Sequence, residues 1–124
     1  MLACGAVLGL LGVILGAFGA HALKETLVAR GSWQTWQTAV QYQFVHALGL
    51  LAVAALAGTR GGGLPLAVLV LWAPGVLLFS GSLYWLALGG PGWLGPVTPL
   101  GGLCLIAGWT CVLVFAFTRH NPAS

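Results

Sequence analysis

Few side chains in this sequence could do chemistry. It holds three histidines, one acidic residue and no aspartate. His21 and Glu25 stand four apart and would meet on one face if a helix continued past Leu23. With His46 they form a scattered set for a metal, and no compact ligand motif joins them. A haem between His21 and His46 is disfavoured, because the two fall at different predicted depths. No nucleophile, base and orienting group can be assembled from one acid. The chain is therefore not expected to be an enzyme, to hold a metal or to carry a cofactor. Cys4, Cys104 and Cys111 are an odd count without metal spacing. Cys104 and Cys111 would lie about 10 Å apart on a helix, too far for a disulfide. All three read as small apolar fillers.

The other polar side chains are uncharged, and the elements that must position them are membrane spans. Of 124 residues, 60% are hydrophobic and 4% are charged, against about 25% charged in a soluble domain. Lys24, Glu25, Arg30, Arg60 and Arg119 cannot solvate a surface, so lipid is the expected solvent. The basic residues lie where apolar runs end, as membrane anchors do, and nothing in them suggests nucleic acid. The pattern predicts one all-α domain, residues 1–124, with helices over 2–23, 33–57, 65–88 and 99–117. The first apolar run is too long for a signal-peptide core and lacks a basic start. Gly31 suits the position after a helix end, and Ser32 an N-cap. Trp33 and Trp36 read as an interfacial belt. Pro65 suits a first turn, and Pro74 predicts a kink.

Four spans place both termini on one side, side A, together with Arg60. The loops 24–36 and 89–99 fall on side B. Arg60 and Arg119 on side A balance Lys24 and Arg30 on side B, so the positive-inside rule does not orient the chain.

Polar groups concentrate toward side B. The first span is apolar until His21. The second enters through Gln34, Thr35, Gln37, Thr38, Gln41, Tyr42, Gln43 and His46. The third leaves through Ser80, Ser82 and Tyr84, and the fourth starts with Thr98. At 100° per residue, Thr35, Thr38, Tyr42, Gln43, His46 and Gly49 fall within about 140°. Ser80 and Tyr84 share a face. Gln37 and Gln41 fall outside the arc and are expected to reach for the interface. Polar side chains in hydrocarbon turn inward. The expectation is a cluster of His21, Thr38, Tyr42, Gln43, His46, Ser80, Ser82 and Tyr84, centred on His46 near one leaflet with His21 at its mouth. Its bland reading, interhelical hydrogen bonding that fixes the bundle, is favoured over a ligand cavity. The first span also carries Gly5, Gly9, Gly12 and Gly16 on one face. These permit close packing inside the bundle, the default here, or against a second copy.

Four segments, Gly16–His21 (GAFGAH), Trp36–Gly49 (WQTAVQYQFVHALG), Leu78–Tyr84 (LFSGSLY) and Thr98–Gly102 (TPLGG), resemble the domain of unknown function 423 family, also labelled UPF0382. The resemblance covers nearly the whole chain. It implies a multi-pass protein of the bacterial inner (plasma) membrane and brings no activity. Its motifs include His21, Tyr42, Gln43, His46, Ser80, Ser82 and Tyr84. The expected role is a structural or accessory membrane component, in contact with the lipid bilayer and with a second copy or a membrane complex as candidate partners. The alternative is a small-molecule or ion binding or transport component that uses a polar cavity around His46.

Overall fold

A computed structural model describes residues 1–60 and 64–120. Residues 61–63 of the turn expected around Arg60, and residues 121–124 of the expected polar tail, lie outside the described residues. The helices are α1 (Leu2–Ala20), α2 (Lys24–Ala29), α3 (Trp33–Arg60), α4 (Leu64–Ala87) and α5 (Val97–His120), with a 3₁₀ turn at Gly92–Leu94. Four of them are long and apolar enough to cross a membrane. The described residues contain helices and no strand.

The first span ends earlier than the sequence suggests. Helix α1 stops at Ala20, and His21 leaves helical geometry at φ −121°, ψ −83°. The Leu23 N–H then reaches back five residues to the Phe18 carbonyl at 2.8 Å. This turn redirects the chain so that α2 delivers Leu27 into full burial against Trp36, Val40 and Ala87. Helix α2 closes as expected at Gly31, whose φ is +66°. Gly31 N–H bonds the Val28 carbonyl at 3.0 Å and Ser32 N–H bonds the Leu27 carbonyl at 2.9 Å, a Schellman closure. Helix α4 ends the same way at Gly89 (φ +92°), with Gly90 N–H on the Trp85 carbonyl at 2.8 Å. Ser32 takes the expected N-cap position, its carbonyl accepting from the Trp36 N–H at 3.1 Å. Its hydroxyl donates to the Ala87 carbonyl at 2.7 Å and ties the two closures together.

Helix α1 packs on α3, α3 on α4, and α4 on α5. Helices α3 and α4 are the inner, more buried spans, and α1 and α5 the outer ones. Pro65 and Pro99 sit in first turns, where a missing N–H costs nothing. Helix α4 runs unbroken through Pro74. The larger core centres on Trp72, with Ala47, Leu50, Val53, Val68, Val76 and Leu105. Glycines make these contacts short. A Cβ on Gly101 would collide with the Phe79 backbone nitrogen and come within 2.9 Å of the Gly75 carbonyl oxygen.

The close-packed face of α1 is a seven-residue repeat, narrower than the expected stripe in steps of four and three. Gly5, Gly12 and Gly19 are buried. A Cβ on Gly5 would meet Leu51 at 2.9 Å, one on Gly12 would meet the Phe44 ring at 3.1 Å, and one on Gly19 would collide with the Trp36 indole. Gly16 is in ordinary contact with Val40 at 3.5 Å, and Gly9 faces open space. The stripe thus serves internal packing on α3, with Gly19 as a member outside the expected set.

Candidate functional site

Gln43 is the crossing point of three helices. It lies on α3, 3% exposed. Its Nε2 donates to the Leu8 carbonyl of α1 at 2.8 Å, and its Oε1 accepts from the Tyr84 hydroxyl of α4 at 2.8 Å. The amide orientation follows from the partners, because a backbone carbonyl only accepts. Tyr84 also lays its ring 4.7 Å from that of Trp36.

His46, one turn further along α3, joins α5. It is 3% exposed. Its Nδ1 lies 2.7 Å from the Tyr42 carbonyl oxygen, and its Nε2 lies 3.1 Å from the Trp109 indole nitrogen. A carbonyl needs a donor and an indole N–H needs an acceptor. Only the neutral imidazole with hydrogen on Nδ1 serves both, so the surroundings fix the tautomer. Trp72 packs on the same ring edge-on at 5.2 Å. His46 sits about halfway along the span Trp33–Ala57. It is therefore deeper than the single-leaflet position expected of it.

Hydroxyl groups complete the layer. Ser80 is fully buried and donates to the Ala39 carbonyl of α3 at 2.8 Å. Ser82 meets Thr98 of α5 at 2.6 Å. Two indoles do the same work: Trp36 Nε1 donates to the Leu15 carbonyl at 3.0 Å, and Trp72 Nε1 to the Leu105 carbonyl at 3.2 Å. Among the described residues, no buried side-chain nitrogen or oxygen lacks a partner.

Of the expected cluster, the structure brings Gln43, His46, Ser80, Ser82 and Tyr84 into the interior. It places three members elsewhere. Tyr42 is 42% exposed, its ring lying 4.5 Å from Phe79 on the outside of the bundle. This corrects the inward position expected of it, since the 140° arc was wider than the buried face. Thr38 turns its hydroxyl back onto the Gln34 carbonyl at 2.9 Å within its own helix. His21 is exposed at the end of α1, where the chain's turn carries it away from the layer. That break also removes the helical register that would have paired it with Glu25. Three participants escaped the sequence reading. Trp36, expected at the interface, is 2% exposed. Trp72 and Trp109 have no part in that reading, although an indole N–H in hydrocarbon needs an acceptor as much as an amide does.

An open apolar groove lies between α4 and α5 at the far end from α2, bordered by Leu64, Ala67, Cys111 and Val114. None of the residues that line it bonds to His46. Among the described residues, no three His, Cys, Asp or Glu side chains gather as a metal site would require.

Replacing Gln43 with leucine deprives Tyr84 of its acceptor. Interhelical bonds in membranes average about 0.6 kcal/mol and reach about 1.7, and here two are lost. Gln43→Leu should cost about 1–2 kcal/mol in reversible unfolding from bicelles. Adding Tyr84→Phe should then cost little, because the hydroxyl removed is already orphaned.

Fold and site define a polytopic membrane protein whose spans are stitched together by interior hydrogen bonds. Comparison with known proteins places it further. Residues 15–102 match the family described as protein of unknown function (DUF423), and the chain belongs to that family. It is 46% identical to the UPF0382 membrane protein YwdK of Bacillus subtilis over 113 residues, 90% of this chain and 91% of that one. It is 42% identical to the UPF0382 membrane protein SH2409 of Staphylococcus haemolyticus, covering 91% of each chain. It is 40% identical to the UPF0382 inner membrane protein YgdD of Escherichia coli over 122 residues, 94% of this chain and 88% of that one. No solved structure matches.

Proposed function

We propose that this protein is a structural or accessory component of the cell's inner (plasma) membrane, with both termini on one side and no catalytic role. The Escherichia coli relative, an inner membrane protein by name, supports the location. The state of His46 supports the role. A carrier or proton-handling site keeps a polar group available to its cargo. Here both imidazole nitrogens are engaged, by Tyr42 and Trp109, and the surrounding hydroxyls and amide are paired with helix backbones or with one another. Such a layer fastens helices, and among the described residues none of its buried side-chain nitrogens or oxygens is without a partner.

The test is native mass spectrometry of protein released from nanodiscs, with ¹⁵N NMR of the histidine ring. The expected result is a chain without retained small molecules and a His46 signal of the neutral Nδ1–H form. A His46→Phe variant should lose about 1 kcal/mol of stability and change no bound species. A stoichiometric small molecule held by the wild type and lost in His46→Phe would overturn the proposal in favour of a ligand site.

A further inference from the structure

The outer face of α3 carries an amide that the bundle leaves unused. Helix α1 covers one side of α3 through Gly12 on Phe44 and Gly19 on Trp36, and α4 covers another through Ser80 and Tyr84. The remaining stripe runs Gln34, Thr38, Gln41, Val45, Leu48 and Ala52, in alternating steps of four and three. Gln34, Gln41, Val45, Leu48 and Ala52 are exposed, and Thr38 is partly so. Among the described residues the Gln41 side chain has no partner, in contrast to Gln43 two positions on.

Depth makes this costly. Trp33, with the Lys24 ammonium 5.9 Å from its ring centre, marks the headgroup level. Gln41 lies eight residues further along α3, about 12 Å along the axis, too far for a glutamine side chain to reach back. An amide facing lipid there lacks the partners that water would give.

We propose that two copies of this chain pair in the membrane through this stripe, with Gln41 against Gln41. A carboxamide carries both a donor and an acceptor, so it complements itself. The pairing takes both copies in one orientation, which makes the two α3 helices parallel and sets a two-fold axis along the membrane normal. The same residue then meets its own copy, as an isologous contact requires, and the two amides exchange reciprocal N–H···O bonds. Alternating steps of four and three are the seam of a parallel helix pair, and one polar residue in such a seam fixes its register. Deeper in the membrane the seam becomes Val45, Leu48 and Ala52. The pairing does not depend on whether the polar layer binds a ligand.

The test uses the full chain with Cys4, Cys104 and Cys111 replaced by alanine, single cysteines introduced one at a time, and oxidation in native membranes. Disulfide dimers are expected from Gln41→Cys and Leu48→Cys, and not from Val13→Cys on α1 or Ile106→Cys on α5. In nanodiscs the wild type should be dimeric, and Gln41→Leu should weaken the dimer about tenfold without altering the monomer's melting, since the Gln41 side chain bonds to none of the described residues. A wild type that is monomeric in nanodiscs would overturn the proposal. So would cross-links that favour Val13 or Ile106, or a dimer indifferent to Gln41→Leu.

Discussion

Gly101→Val should abolish folding, while Gly9→Ala should be silent. Both are glycines on apolar spans, and only the neighbours differ. At Gly101 an added Cβ meets backbone: the Phe79 nitrogen, the Gly75 carbonyl oxygen at 2.9 Å and the Leu78 carbonyl carbon at 2.9 Å. A side chain could rotate away, but a helix backbone cannot, so α4 and α5 must separate. Separation also breaks what the close approach makes possible, namely Ser82 to Thr98 at 2.6 Å and Trp72 to the Leu105 carbonyl at 3.2 Å. Overpacking alone costs about 1–3 kcal/mol, and the lost bonds take the total to about 3 kcal/mol or more. At Gly9 nothing lies within 4 Å, so Gly9→Ala should stay within about 0.5 kcal/mol. Size-exclusion profiles of fluorescent fusions, with thermal melts in detergent, read both. A well-folded Gly101→Val protein would show that the two helices are not in backbone contact.

The contrast also shows which features the sequence carries plainly. Four apolar runs of sufficient length can only be spans, and the starts and ends of α3 and α4 lie within a few residues of expectation. Gly31 announces its turn because a closure there requires positive φ. The interior is less legible, for two physical reasons. A helical wheel assigns a face but not its width: Tyr42 and Gln43 stand about 100° apart in the same arc, and the contacts with α1 and α4 bury Gln43 while Tyr42 stays outside. Tryptophan is the second reason. Its ring counts as apolar while its N–H needs an acceptor, so the positions of Trp36, Trp72 and Trp109 in the sequence do not disclose their bonds. Their N–H groups bond to α1, α5 and His46. Gly19 is the sequence signal that could have placed Trp36, since a glycine seven residues past Gly12 marks a helix seam open to a large side chain. The break after Ala20 had no such marker. It follows from burying Leu27, a demand of packing rather than of local sequence.

Trp72 is where these contacts converge, so its removal is the second large effect. The ring is 1% exposed. On the α3 side it fits over Gly49, where a Cβ would come within 2.6 Å of it, and on the α5 side it fits over Gly108. His46 lies 5.2 Å from it edge-on, and Trp109 4.8 Å from it. In lipid the expulsion of apolar surface from water contributes little between helices, and packing contacts carry the stability. Trp72→Ala forfeits those contacts on three helices at once and empties a cavity flanked by two glycines, which have no side chains to fill it. A buried tryptophan cut to alanine costs about 3–5 kcal/mol, and the missing glycine side chains place this site at the upper part of that range. Trp72→Phe keeps most of the ring and loses the bond to the Leu105 carbonyl, so it should cost about 1–2 kcal/mol. The secondary effect is diagnostic. With its support gone, Trp109 should release His46 Nε2, and the Trp109 indole N–H should exchange with solvent deuterium faster in Trp72→Ala than in Trp72→Phe. If Trp72→Ala melts with the wild type and its Trp109 N–H stays protected, α3, α4 and α5 are held by something other than this indole.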